Sequence, residues 1–164
     1  MLITSKYKES NSVKVFADKL IEITERHAEE IAQQWCKAVR KDNRTPSYHY
    51  MPEEKCLLHA VSFYKNLSRV YFSKRPDRDL YEHFTQYAED RYNEGIPCPE
   101  AIYALFMMRR HMWLYADSQA LFLTPIDHMQ AIEALNKTIR IFDLGTFFVA
   151  QKYDVLRKRD GFLY

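Results

Sequence analysis

Residues Gly95–Phe122 read GIPCPEAIYALFMMRRHMWLYADSQALF. Gly95 suits the left-handed position just after a helix, and Pro97 and Pro99 prevent that helix from continuing, so Gly95–Pro99 is the best-marked boundary in the chain. From Glu100 onward the apolar residues fall almost all round the helical circumference, as expected of a helix in the middle of a bundle. The spacing therefore predicts a central helix from Glu100 to about Phe122. Its longest apolar run, Ala101 to Met108, is stopped by Arg109, Arg110 and His111, far short of the ~20 residues that span a bilayer.

Working outward, Val13, Phe16, Leu20, Ile23, His27, Ile31, Trp35 and Ala38 follow the three-and-four spacing of one helical face. They predict one long helix from Val13 to Arg40, with Ser12 as N-cap and Asn43, Thr45 and Pro46 at its end. Pro52, Glu53 and Glu54 read as the first turn of a second helix reaching Phe72, with Leu57, Val61, Tyr64, Leu67 and Tyr71 inward. After the break SKRPD a third helix begins near Asp77 and turns Phe84, Tyr87, Ala88 and Arg91 inward. Thr124 and Pro125 open a last helix whose stripe is Ile132, Leu135, Ile139, Phe142, Thr146, Val149 and Tyr153, ending in the basic run Arg157–Arg159. The expected architecture is one all-α domain over residues 1–164, its core at about 12–158, built as a bundle of five or six helices; periodicity alone leaves bundle and globin-like packing open.

The 164 residues suffice for one domain with a sizeable core. Only three glycines argue against a turn-rich β fold and against a phosphate-binding glycine loop. With 24 basic and 22 acidic residues there is no global field to draw the chain to nucleic acid or anionic lipid. Three cysteines without a Cys-x-x-Cys pair, and an N-terminus lacking an apolar signal, make a cytoplasmic protein with free thiols the expectation. The tail from Asp160 to Tyr164 is expected to fray.

Catalytic and metal chemistry is sparse. No Glu-x-x-His appears at any of the six histidines, which removes the usual di-iron bundle pattern, and no two histidines lie four apart. Cys56 and His59 would share one turn, but zinc wants three or four protein ligands and no second pair exists. A haem needs only one proximal histidine, for which His27, His83 and His111 are candidates, yet no Cys-x-x-Cys-His attachment signal is present. Without a Gly-x-Ser-x-Gly elbow or a comparable loop, no enzyme is expected, and neither a metal nor another cofactor. The unusual local feature is Arg109, Arg110, His111 and Trp113 after eight apolar residues, with Arg109 and Trp113 on one face. One reading is structural: Arg109 pairs with Asp143 or Glu100 and Trp113 fills core. The other is a pocket in which arginine holds the carboxylate of an apolar ligand while rings cover its chain. The candidate ligand-binding residues are Arg109, Trp113, Arg91, Tyr87 and Phe142.

The segment Tyr87–Trp113 resembles the central portion of RsbR-type N-terminal sensor domains, which precede STAS or histidine-kinase modules in bacterial signalling proteins. The elements that carry it are Arg91, Gly95, Glu100, Ala104, Arg109, Arg110 and Trp113, with Trp35 upstream and Asp143 and Tyr153 downstream, a span of about Glu22 to Lys158. The resemblance implies a globin-like helical fold, generally without haem, that forms a homodimer and signals to a kinase or STAS-type partner in a stress response. Similar stand-alone domains are thought to hold fatty acids where a globin holds haem, which adds to the arginine and aromatic pocket. This chain departs from the pattern in ending at Tyr164 with no STAS or kinase module, so it reads as a detached sensor or as part of a longer polypeptide. The sequence-level expectation is a non-enzymatic sensory module for a small apolar ligand; the alternatives are a ligand-free protein-binding adaptor and a haem-binding globin-type sensor.

Overall fold

The computed structural model describes residues 19–119 and 125–162, and among them the regular structure is all helix, joined by short turns, with no strand. Helical residues 19–26 lead into α1 (Ala28–Val39); a 3-10 turn (Pro46–Tyr48) follows, then α2 (Glu53–Tyr71), α3 (Pro76–Asn93), α4 (Cys98–Ser118) and α5 (Pro125–Arg159). The chain is thus an all-α bundle, as its periodicity predicts. No helix among the described residues is long and apolar enough to cross a membrane. Ser12, Val13, Phe16 and Thr124 lie outside the described residues.

The helix ends follow local chemistry. Gly95 takes φ +75° after α3, and the Ile96 amide donates to the Arg91 carbonyl at 3.0 Å, the six-residue closure of a left-handed cap. Gly161 does the same after α5 with φ +81°, the Phe162 amide reaching the Arg157 carbonyl at 2.9 Å. The tail is tied further by Tyr92, whose hydroxyl donates to Asp160 at 2.8 Å, so the expected fraying does not extend to Asp160. Past α1, the Thr45 hydroxyl donates to the Val39 carbonyl at 2.6 Å, satisfying an acceptor the helix leaves open. The single first helix expected from Val13 to Arg40 is interrupted: His27 sits at φ −110°, ψ 24°, and α1 begins after it. Side chains at this break are committed to α4, with the His27 and Tyr115 rings 5.2 Å apart and the Tyr115 hydroxyl donating to Glu30 at 2.6 Å.

Helix α4 is the centre of the bundle, packed against α1, α3 and α5. Four aromatic side chains converge on backbone carbonyls in or just before it. Trp35 Nε1 donates to Ala104 at 3.1 Å, Tyr64 to Met108 at 2.7 Å, Tyr87 to Ala101 at 2.8 Å and Tyr153 to Ile96 at 2.9 Å. Each ring buries its apolar body while its polar tip keeps a partner, which removes the cost of an unsatisfied donor in the core. The most extensive helix contact is α3 with α5. There Gly145 admits the ring of Phe84, which meets Phe63 and Phe142 edge-on.

Two predicted stripes are displaced. On α2 the buried line is Cys56, Ala60, Phe63, Tyr64, Leu67, Val70 and Tyr71, leaving Leu57 and Val61 half-buried. On α5 it is Ala134, Thr138, Phe142, Val149, Tyr153 and Leu156. Ile132 and Leu135, expected inside, are 58% and 36% exposed. The small Ala134 and the self-satisfied Thr138, whose hydroxyl donates to the Ala134 carbonyl, occupy the inward face there and leave the longer side chains on its shoulder.

Candidate functional site

The shoulder of α5 and the outer side of α4 enclose a groove of about 830 Å³. Trp113 and Leu114 form one wall and Ala131, Ile132, Leu135 and Ile139 the other; Arg109 and Arg110 stand among the lining residues of α4, with Asp117 and His128 completing it. The volume falls within the range of small-molecule sites, whose walls are mostly apolar with a few placed polar groups. Trp113 also packs on the core behind the groove.

Arg109 is the cation best placed to act here. Its Nη1 lies 3.7 Å from Asp143 Oδ1, beyond hydrogen-bond reach, and Asp143 itself is 67% exposed. The buried Nη1 makes no hydrogen bond in the described structure, so the charge is only loosely matched. The guanidinium rests over the rings of Phe106 and Phe142, 5.6 and 5.8 Å from their centroids, which holds it in place without neutralising it. Of the two acids considered as its partner, Glu100 is committed elsewhere, accepting the Ser47 amide at 2.8 Å and the Ser47 hydroxyl at 3.0 Å.

The five sequence candidates do not form one site. Arg109 and Trp113 line the α4/α5 groove together. Phe142 is fully buried beneath Arg109 and supports it from behind. Arg91 and Tyr87 line a different cleft, about 390 Å³ between α2 and α3, that shares no lining residue with the groove. Arg91 is 2% exposed and held on several sides: Nε is 3.2 Å from Glu94 as an ion pair without an aligned hydrogen bond, Nη2 meets His59 Nδ1, and the guanidinium covers the Tyr87 ring at 5.2 Å. His59 Nε2 lies 2.7 Å from Glu94, and Lys55 Nζ approaches the same oxygen at 3.3 Å. Burial and the Arg91 charge push the His59 pKa down despite Glu94, consistent with a neutral ring accepting at Nδ1. This cluster joins α2 to the end of α3.

His59 Nδ1 meets Arg91 and its Nε2 faces Glu94, and burial holds the Cys56 thiol well above its ordinary range, so the Cys56/His59 turn is not arranged as a ligand pair. Among the described residues no group of three or more His, Cys, Asp or Glu could hold a metal. The three haem candidates are scattered: His27 lies 3.3 Å from Glu30, His111 Nδ1 bonds the Met107 carbonyl at 2.8 Å, and His83 lines the α2/α3 cleft. As groove residues Ile132 and Leu135 had no distinct signal in the sequence, where they read as ordinary core apolar positions, and Leu114 had none either. The Arg91–Glu94 pair did have one, in its three-residue spacing.

His83 carries a pH prediction. Its ring lies against Phe63 and Phe84 at 4.9 and 5.2 Å, and burial, aided by Arg69, lowers its pKa to about 4. The unfolded chain takes up this proton near pH 6.5, so as pH falls toward 4 the unfolded state binds it first and stability is lost. The expected loss between pH 7 and pH 5 is about 2 kcal/mol for this residue. Urea unfolding at the two pH values should show that drop shrinking by about this amount in His83→Asn, with a residue from His59 of the same sign. An undiminished drop in the variant would remove His83 as its source.

Comparison with family models, with curated proteins and with solved structures finds no match to this chain.

Proposed function

We propose that the chain is a non-enzymatic sensory module whose α4/α5 groove binds a single-chain amphiphile with a carboxylate head, such as a fatty acid. The observation that carries the reading is a loosely paired guanidinium, Arg109, lining an otherwise largely apolar groove beside the exposed Arg110. Two arginines can receive a carboxylate through paired, charge-assisted hydrogen bonds, while Trp113, Leu114, Ile132 and Leu135 cover the chain. The resemblance of Tyr87–Trp113 to RsbR-type sensor domains supports the same reading, including a globin-like fold, a cytoplasmic setting and a kinase or STAS-type output partner. Such a ligand relays a signal only by binding one arrangement of α4 and α5 better than another.

Thermal unfolding with a series of saturated fatty acids of 10 to 18 carbons tests this directly. Ligand at ~100 times its dissociation constant stabilises by about 2.7 kcal/mol, roughly 5–10 °C for a chain of this size. The shift should vanish in Arg109→Gln/Arg110→Gln and in Ile132→Asp, the latter an exposed position whose change leaves the core intact. No shift at any chain length, or an equal shift with the matching fatty alcohols, would overturn the assignment.

A further inference from the structure

Helix α5 presents a second seam on the side away from the core. Arg140, Leu144, Phe147, Gln151 and Asp154 follow a four-three-four-three spacing, and all five are exposed. Over this stretch the inward face is held by Phe142, Val149 and Tyr153, so the outer seam is not needed to close the bundle. At its middle Phe147 is 55% exposed, large for an aromatic ring, and Leu144 one turn earlier is 36% exposed. The apolar surface continues sideways: the Phe147 ring meets Phe148 at 5.9 Å, Phe148 meets Tyr81 of α3 at 5.3 Å, and Tyr81 is half exposed. Two exposed apolar residues in a heptad-spaced row, widened by Phe148 and Tyr81 and flanked along the helix by charge, form a surface that a second helix can cover.

The charges select the occupant and its direction. Arg140 and Asp154 lie equally far from Phe147 in opposite directions, two helical turns each way. A second copy packed antiparallel about a two-fold axis at Phe147 sets each Arg140 opposite the other copy's Asp154, and sets Phe147 on Phe147. A parallel pairing would instead oppose Arg140 to Arg140 and Asp154 to Asp154. Such a self-complementary patch is what an isologous contact requires. We propose that this outer seam of α5 is the contact between two copies of the chain, running antiparallel. The α4/α5 groove is on a different side of α5 and shares no residue with the seam, so this contact stands or falls independently of the ligand reading.

Sedimentation equilibrium of the whole chain without added lipid is the test. The unaltered protein is expected to be a dimer, and Phe147→Glu a monomer with unchanged helical circular dichroism. Arg140→Asp and Asp154→Arg should each weaken association at least tenfold, and the double exchange Arg140→Asp/Asp154→Arg should restore it to within a few-fold of the original, which a merely structural role for either residue would not do. A monomeric parent, a dimer indifferent to Phe147→Glu, or a double exchange no better than the single ones overturns the proposal. A dimer lost instead in Ile132→Asp would place the contact at the groove and overturn it equally.

Discussion

Replacing Arg91 with methionine is expected to lower the free energy of unfolding by about 3 kcal/mol, near the lower end for breaking a buried ion pair. The side chain is 2% exposed and its guanidinium meets three groups at once: Glu94, His59 and the Tyr87 ring. Methionine fills much of the space but leaves the Glu94 carboxylate without its most buried partner. Lys55, 3.3 Å away and half exposed, keeps some of that charge matched, which is why the loss is not larger. The asymmetry between breaking a pair and replacing it gives the check. In Arg91→Met/Glu94→Gln neither charge is stranded, so urea unfolding should recover at least half of the single-variant loss. A single variant within about 0.5 kcal/mol of the parent, the range usual for surface changes, would mean that the cluster is solvated in a way its burial does not suggest.

The second large effect has the opposite sign from what helix propensity predicts. Gly145 lies inside α5, and glycine to alanine in a helix interior normally stabilises by about 1 kcal/mol. Here a Cβ would fall inside the van der Waals envelope of the Phe84 ring, at Cζ and both Cε atoms. Phe84 is fully buried, with Phe63 and Phe142 edge-on to it at 5.9 and 6.0 Å, so the ring cannot swing clear without disturbing the core. Overpacking of this kind costs roughly 1–3 kcal/mol, occasionally more. Gly145→Ala is therefore expected to destabilise by about 2 kcal/mol net, and Gly145→Val by more. Gly145→Ala/Phe84→Leu should be less unstable than the sum of its two single variants, because the shorter side chain vacates the space the methyl group enters. Additive losses in chemical denaturation would show that the two residues do not meet as the structure has them.

The contrast between Arg91 and Arg109 shows where reading the chain alone reaches its end. Both are arginines on amphipathic helices with aromatic residues at helical spacing, and as sequence they are equal candidates for a ligand head group. Glu94 lies three residues after Arg91 and is legible in the spacing; what separates the two arginines is His59, from another helix, which closes on Arg91, whereas among the described residues the acid nearest Arg109 is Asp143 at 3.7 Å. A pairing that crosses helices leaves no trace in the spacing of either one. Phe142, one of the five candidates, lies under the Arg109 guanidinium at 5.8 Å, and whether a ring there faces a ligand or supports the arginine depends on how deeply α5 is set against α4.

What the amino-acid order determined by itself is local: helices where apolar residues recur every three or four positions, a stop at Gly95–Pro99 because glycine adopts φ +75° there and proline cannot continue a helix, and a central α4 because its apolar residues run round its circumference. These follow from the backbone and from each helix's own periodicity. The tertiary structure decided the rest. It turned Ile132 and Leu135 out of the core and into a groove, because the small Ala134 and Thr138 took the inward face, and it left Phe147 outside because Phe142, Val149 and Tyr153 already filled the inside. Periodicity says how wide an apolar stripe is; which edge of it is buried depends on the volume and shape of the helices it meets.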